Sequence, residues 1–231
     1  MDENTVFVKL YNGAEPALDV NWNELRRYSG YFSSADDMDE SLRGLYSAVV
    51  DDILPLLEYK VCYRRMCLEH REEGVVLPFG KGSRDAEKLL CHSDGIIVFA
   101  ATVGLGIDRY IARYQHISPA KALVAQGFGA ERIESLCNVF CTEMKASLAA
   151  EGKGITPRYS PGYGDMALAA QTEIFALLDC SRRIGLSLNS SLLMMPSKSV
   201  TAFFGITSGE SDEASGNKCR RCGKSDCLYR K

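Results

Sequence analysis

The run Ile96-Ile97-Val98-Phe99-Ala100-Ala101 constrains the fold more than any other feature of the sequence. It is apolar throughout, β-branched and aromatic at its start, and entered through an Asp94-Gly95 turn. A strand that is apolar on both faces must be covered on both, so it belongs in the middle of a sheet. Other strand-like segments lie at 60–68, 74–79, 184–188 and 199–206, the last two separated by an excursion over 189–196.

Helical patterns are interspersed among them. Asn21 and Asn23 are cap candidates for a short helix that Gly30 stops. Over residues 34–59, Met38, Leu42, Leu45, Tyr46, Val49, Ile53 and Leu57 recur at steps of three and four, with Pro55 bending or fraying the end. A further helix follows Ser83 and carries Leu89 and Leu90; another, after Gly104 and Gly106, carries Tyr110, Ile111 and Tyr114. Ser118-Pro119 starts a pattern that continues to Ala150, and Gly127 and Gly129 within it mark either close helix packing or a break between two helices. Asp165 opens a helix through Leu178. Without a strict βαβ repeat, the expected class is α+β, a mixed or antiparallel sheet covered by helices.

With 231 residues, 46% of them hydrophobic, the chain can bury one substantial core. The expected organisation is one domain over residues 1–208 and a flexible Cys-rich tail over 209–231. A net charge of −3 supplies no field that would attract nucleic acid. No run approaches the ~18 apolar residues of a membrane span, and the start Met1-Asp2-Glu3 has no basic segment leading into an apolar one. A cytoplasmic location is expected, with Cys62, Cys67, Cys91, Cys137, Cys141 and Cys180 acting as small core residues.

Residues 155–171 are the most informative stretch for function. Pro157, Pro161, Gly162 and Gly164 fix an irregular backbone, and Arg158 adds a planar fork suited to a ligand carboxylate. Gly162 permits close backbone approach and Tyr163 can place a ring or hydroxyl over a ligand. The plain alternative is a loop leading into a helix capped by Asp165.

Arg158-Tyr159-Ser160-Pro161-Gly162-Tyr163 resembles the Arg-x-x-x-Gly-Tyr motif of the activation (reactivation) domain of vitamin B12-dependent methionine synthase. Gly164-Asp165 and Gln171 resemble its free-standing bacterial relatives, and residues 184–206, a strand, a Ser- and Met-rich turn, a proline and a Ser-Val strand, are similar to a second segment of that family. Upstream, only the general pattern matches, as in Arg26-Arg27-Tyr28-Ser29-Gly30-Tyr31.

The resemblance implies a groove for S-adenosylmethionine. By it, Arg158 meets the methionine carboxylate, Ser160 and Gly162 give backbone contacts, and Tyr163 stands at the catalytic junction of ligand and corrin. An acid on the preceding long helix meets the ligand's amino group; Glu143 is favoured over Glu134, and a solvated surface carboxylate is the alternative. The implied activity is methyltransfer in methionine biosynthesis: reductive reactivation of cob(II)alamin on a separate cobalamin-dependent methionine synthase, with flavodoxin or ferredoxin as reductant. Two other functions stay open: a reactivator or redox module for another corrinoid protein, and a non-catalytic S-adenosylmethionine-binding or corrinoid-docking protein. The fused relatives continue beyond the Ser-Val strand to another ligand-contacting tyrosine, for which Tyr229 is not an evident substitute.

The tail holds Cys219, Cys222 and Cys227 in a C-x2-C-x4-C pattern. Its first pair has metal-ligand spacing, and zinc or an iron–sulfur cluster would need a fourth ligand from elsewhere. A redox-active thiol set and a disordered tail are the alternatives. Gly104-Leu105-Gly106 lacks the third glycine of a dinucleotide fingerprint, since Arg109 stands there, and reads as a tight turn. His70, His92 and His116 show no mutual ligand spacing.

Overall fold

A computed structural model describes residues 5–13, 18–32, 38–72 and 74–209. The apolar run lies in β5 (Ser93–Thr102), the middle of a five-stranded sheet. β5 is flanked by β2 (Tyr59–Cys67) and β9 (Ser199–Ser208), with β1 (Phe7–Tyr11) and β6 (Lys153–Ile155) at the two edges. Every pairing in this sheet is antiparallel, so the α+β expectation holds.

Helices cover both faces, which is why β5 has no polar side. Ile97, Phe99 and Ala101 face the long helix α5 (Pro119–Ala149), where Phe128, Leu136 and Phe140 meet them; the rings of Phe99 and Phe140 lie 4.8 Å apart. α1 (Trp22–Tyr28), α2 (Glu40–Ile53) and α4 (Gly106–Tyr114) fill out that layer. Ile96, Val98 and Ala100 face the opposite layer, built from α3 (Arg84–Leu90), α6 (Ala170–Leu178) and α7 (Cys180–Ile184). Two short hairpins complete the structure: β3 (Glu69–Arg71) with β4 (Gly74–Val76), and β7 (Ser187–Leu188) with β8 (Met194–Met195).

Local capping sets several starts. The side chains of Asn21, Asp39 and Ser83 accept hydrogen bonds from the backbone N–H groups of Glu24, Leu42 and Ala86. α5 runs unbroken through Gly127 and Gly129, which resolves that pair in favour of packing. A Cβ on Gly127 would stand 2.1 Å from Ser29 Oγ and 2.7 Å from Ser29 N. α1 therefore crosses α5 closely there, and Gly127→Ala is expected to destabilise the protein. The gain in helix propensity, about 1 kcal/mol, is outweighed by an overlap with backbone, which costs about 1–3 kcal/mol. A lowered urea midpoint at unchanged slope would show it; an unchanged or raised midpoint would mean that α1 gives way freely.

Several expectations need correction. Among the described residues of 34–59, the α-helix spans Glu40–Ile53; Pro55 lies in a 3-10 turn, Leu54–Leu56, and Tyr59 already belongs to β2. Asp165 does not open a helix, since α6 starts at Ala170. Residues 184–188 divide between the end of α7 and the two-residue strand β7. Cys67 and Cys91 are exposed, whereas Cys62, Cys137 and Cys180 are buried. β1 goes beyond the sequence reading: Phe7 and Tyr11 pack into the α5 layer while Val8 and Leu10 are exposed. Among the described residues, no helix is long and apolar enough to cross a membrane.

Candidate functional site

The segment after β6 returns to the sheet before it enters α6. Tyr159 and Phe203 exchange backbone hydrogen bonds of 2.9 Å each, an isolated bridge that pins the segment to β9. Tyr159 also donates its hydroxyl proton to the Tyr163 carbonyl at 2.8 Å, and its ring packs on Phe203 at 5.7 Å. The Gly162 N–H donates to Met166 O at 3.0 Å and the Tyr163 N–H to Ser160 O at 3.3 Å. Gly164, at φ +53°, passes so close to Asp85 and Tyr159 that a Cβ would overlap both.

Asp165 anchors this loop to a different helix. Its carboxylate accepts from Ser83 Oγ at 2.6 Å and from the N–H groups of Arg84 and Asp85 at 2.8 and 3.3 Å, the start of α3. The Ser83 hydroxyl first, and these N–H groups with it, hold the Asp165 carboxyl below its usual range. A folded pKa below the unfolded value of about 3.9 stabilises the fold above that pH and is lost as pH falls through the folded value. Asp165→Asn is therefore less stable than wild type at pH 7, and the gap narrows below about pH 4. Denaturant unfolding at several pH values measures this; a constant gap would sink the linkage.

Beside the loop runs a groove of about 400 Å³. Arg158, Ser160 and Tyr163 line it from the loop, Glu134 from α5, Gln171 from α6, and Val200 and Thr201 from β9. Arg158 Nη2 donates to Glu134 Oε2 at 2.6 Å, and Arg158 Nη1 is buried with no hydrogen-bond partner among the described residues. Burial works against the Arg158 charge, but its neighbours Cys137, Glu134 and Cys141 outweigh that and raise its pKa. Burial pushes the Cys137 thiol up to about 12 and the Cys141 thiol up to about 11, so both are neutral at pH 7. Glu134 is thus the working counter-charge.

Of the residues singled out from the sequence, Arg158, Ser160 and Tyr163 share this groove, with Gly162 at φ +87° in the loop between them. Tyr163 is 69% exposed, at the mouth. The Gly162 N–H is committed to Met166, so what this glycine offers is room. Glu143 lies elsewhere, accepting from Tyr11 Oη at 2.7 Å and from Lys9 Nζ. Cys219, Cys222 and Cys227 lie outside the described residues. Among the described residues, no group of three or more His, Cys, Asp or Glu side chains is placed to hold a metal.

Tyr28, Leu168 and Met194 also line the groove and were not picked out as ligand contacts. Tyr28 sits in the upstream Arg-Arg-Tyr-Ser-Gly-Tyr stretch, which was the available hint. Leu168 and Met194 carry no comparable mark. Gln171 holds the β7–β8 connection by donating from Nε2 to Leu192 O.

Comparison with known proteins supports the resemblance. The family model described as "Vitamin B12 dependent methionine synthase, activation domain" matches residues 141–222, just over a third of the chain. The fold matches a crystal structure of the MetH reactivation domain bound to AdoHcy, with a TM-score of 0.65 and 14% identity. That match covers 91% of this chain and 81% of the other. A sequence comparison with curated proteins finds no match.

Proposed function

We propose that this chain, a homologue of the activation domain of vitamin B12-dependent methionine synthase, binds S-adenosylmethionine in the Arg158 groove. Its role is then to support reductive methylation of the corrinoid on a separate cobalamin-dependent methionine synthase.

The Arg158–Glu134 pair is the observation that carries this reading. An α-amino acid bears a carboxylate and an ammonium side by side, and the pair offers a cation and an anion in the complementary order. Arg158 also has a buried, unpartnered Nη1 among the described residues, and a buried donor without a partner is costly until something accepts from it. The groove volume suits a small-molecule ligand. Its wall mixes the apolar side chains of Leu168, Met194 and Val200 with the polar ones of Ser160, Gln171 and Thr201. Support also comes from the AdoHcy bound to the structure that shares this fold.

When bound, the ligand supplies an electrophilic methyl group on a sulfonium. The chain's own part is positioning. Arg158 and Glu134 fix the amino-acid end; the pinned Tyr159 and the Asp165 anchor keep the loop rigid; exposed Tyr163 presents a ring at the mouth, where a corrinoid partner would approach. No proton has to move in this step, so the groove needs no general acid or base.

The test is transfer of isotopically labelled methyl from S-adenosylmethionine to cobalamin on a methionine synthase lacking its own activation domain, with a flavodoxin or ferredoxin reducing system. Label should appear on the corrinoid only when this chain is present. No calorimetric binding of S-adenosylmethionine would overturn the reading. Binding without transfer would favour a docking protein, and transfer only to another corrinoid protein would reassign the partner.

A further inference from the structure

The C-x2-C-x4-C pattern of Cys219, Cys222 and Cys227 takes no part in the methyl transfer proposed above. It supplies three thiols at ligand spacing, where structural zinc and an iron–sulfur cubane each take four. The described residues hold a fourth within its reach.

Of the six cysteines among them, Cys62, Cys137 and Cys180 are buried and Cys141 partly so, whereas Cys67 and Cys91 are exposed. Cys67 ends β2 and lines a groove of about 460 Å³ together with Arg65, Asp94, Glu151, Lys153 and Ile206. This groove is at the opposite end of β9 from the Arg158 groove: Ile206 comes five residues after Thr201, about 17 Å along a strand. β9 also ends here. The Ser208 hydroxyl donates to Asp94, and the Gly209 N–H donates to Gly152 O at 3.2 Å, between Glu151 and Lys153. The last described residues are thus tied to the walls of the groove, and the chain passes into residues 210–231 at its rim.

The distances are compatible with closure. Cys67 pairs with Gly95 and Gly95 with Ile206, two strand spacings or about 10 Å. Ten residues lead from Gly209 to Cys219. A flexible segment of that length spans about 17 Å on average and about 33 Å when fully extended. A tether whose average length is close to the span gives the highest effective concentration of its end group. Cys91 is placed differently. It caps α3 at its C-terminus, in the layer on the far side of the sheet, and its thiol donates to Lys88 O at 3.2 Å. Ile206 and the groove face the α5 layer.

Charge favours the same place. Four thiolates around a divalent cation carry a net negative charge, which nearby cations stabilise. Arg65 and Lys153 stand in the wall with Cys67, Arg65 fixed by a bidentate pair with Glu151 at 3.0 and 2.8 Å. Arg220, Arg221 and Lys224 adjoin the other three cysteines in the sequence.

We infer that Cys67 is the fourth ligand of a tetrathiolate metal centre with Cys219, Cys222 and Cys227, and that residues 210–231 dock over the Cys67 groove when the metal binds. Each thiol gives up its proton to solvent as it coordinates. Zinc and an iron–sulfur cubane share this donor set, and loading distinguishes them.

The full-length chain is loaded without air, in one arm with zinc and in the other with iron and sulfide, and the metal retained after gel filtration is measured. The proteins are wild type, Cys67→Ser, Cys222→Ser and Cys91→Ser. Wild type should retain metal in at least one arm. Cys67→Ser and Cys222→Ser should lose the cluster, or bind zinc more weakly by over about a hundredfold, beyond the cost of losing an outer-shell partner. Cys91→Ser should load as wild type does. A second measurement needs no substitution: in wild type, loading should slow alkylation of Cys67, read by mass spectrometry, and leave that of Cys91 unchanged.

Retention of neither metal by wild type would overturn the centre. Wild-type loading of Cys67→Ser, a loss in Cys91→Ser equal to that in Cys67→Ser, or alkylation of Cys67 unaffected by metal would overturn Cys67 as its ligand.

Discussion

Arg158→Ala is expected to weaken S-adenosylmethionine binding by about a hundredfold, near 3 kcal/mol. The loss has two parts. The ligand carboxylate forfeits charge-assisted hydrogen bonds, and Glu134, deprived of its partner at 2.6 Å, is left as an unbalanced anion in the groove. Arg158→Lys should fall between, since it keeps the charge and loses the planar fork. Calorimetry on the three proteins measures the series, with thermal unfolding run alongside. Arg158 and Glu134 retain access to solvent, so their pairing adds little to stability and the thermal midpoints should stay close together. A variant that binds as wild type does would remove Arg158 from the site.

The largest effect on stability should come from a residue outside the groove. Arg132 is 0% exposed; its guanidinium donates to the carbonyls of Leu18 and Asp19 and to Glu131, itself buried. Glu131 in turn accepts from Asn21 N at 3.1 Å and Ser135 Oγ at 2.7 Å. Arg132→Met removes one partner of a buried ion pair and strands the other, which costs about 3–5 kcal/mol. For a chain of this size that lowers the thermal midpoint by about 10 °C. Replacing Glu131 by Gln in the same protein should return part of the loss, because the stranded charge disappears. A single variant within about 1 kcal/mol of wild type would show that the network relaxes onto water.

What could be read from the sequence was whatever is decided locally. The cap at Asn21, the helix that follows Ser83, the start at Ser118-Pro119 and the central place of Ile96–Ala101 depend on neighbours a few residues away, and all are found. The role of Asp165 is not local. Asp165 looks like the cap of the helix that follows it, and instead caps α3, some eighty residues earlier.

The acid beside Arg158 fails to be legible for a related reason. Glu134 and Glu143 are nine residues apart on one helix, about two and a half turns, so they face opposite sides. Separation from Arg158 along the chain cannot tell which side meets the loop. The sheet decides it, by turning Glu134 toward Arg158 and Glu143 toward Lys9 and Tyr11 on β1. Arg132 was equally hidden: a charged residue in a helix reads as solvated until the segment around Leu18 is laid over it.

β9 fills the gap between β5 and β6, and residues 199–201 of the same strand line the groove. During synthesis, the residues through Ser208 must leave the ribosome before this sheet can close. Until then β5 keeps one edge unpaired, with six apolar side chains in a row, and such edges invite association between nascent chains. The groove does not exist in that interval, because part of its wall has not yet been made. The last of the described strands to be translated thus completes both the hydrophobic interior and the wall of the groove, so the groove and the protection from aggregation arrive together.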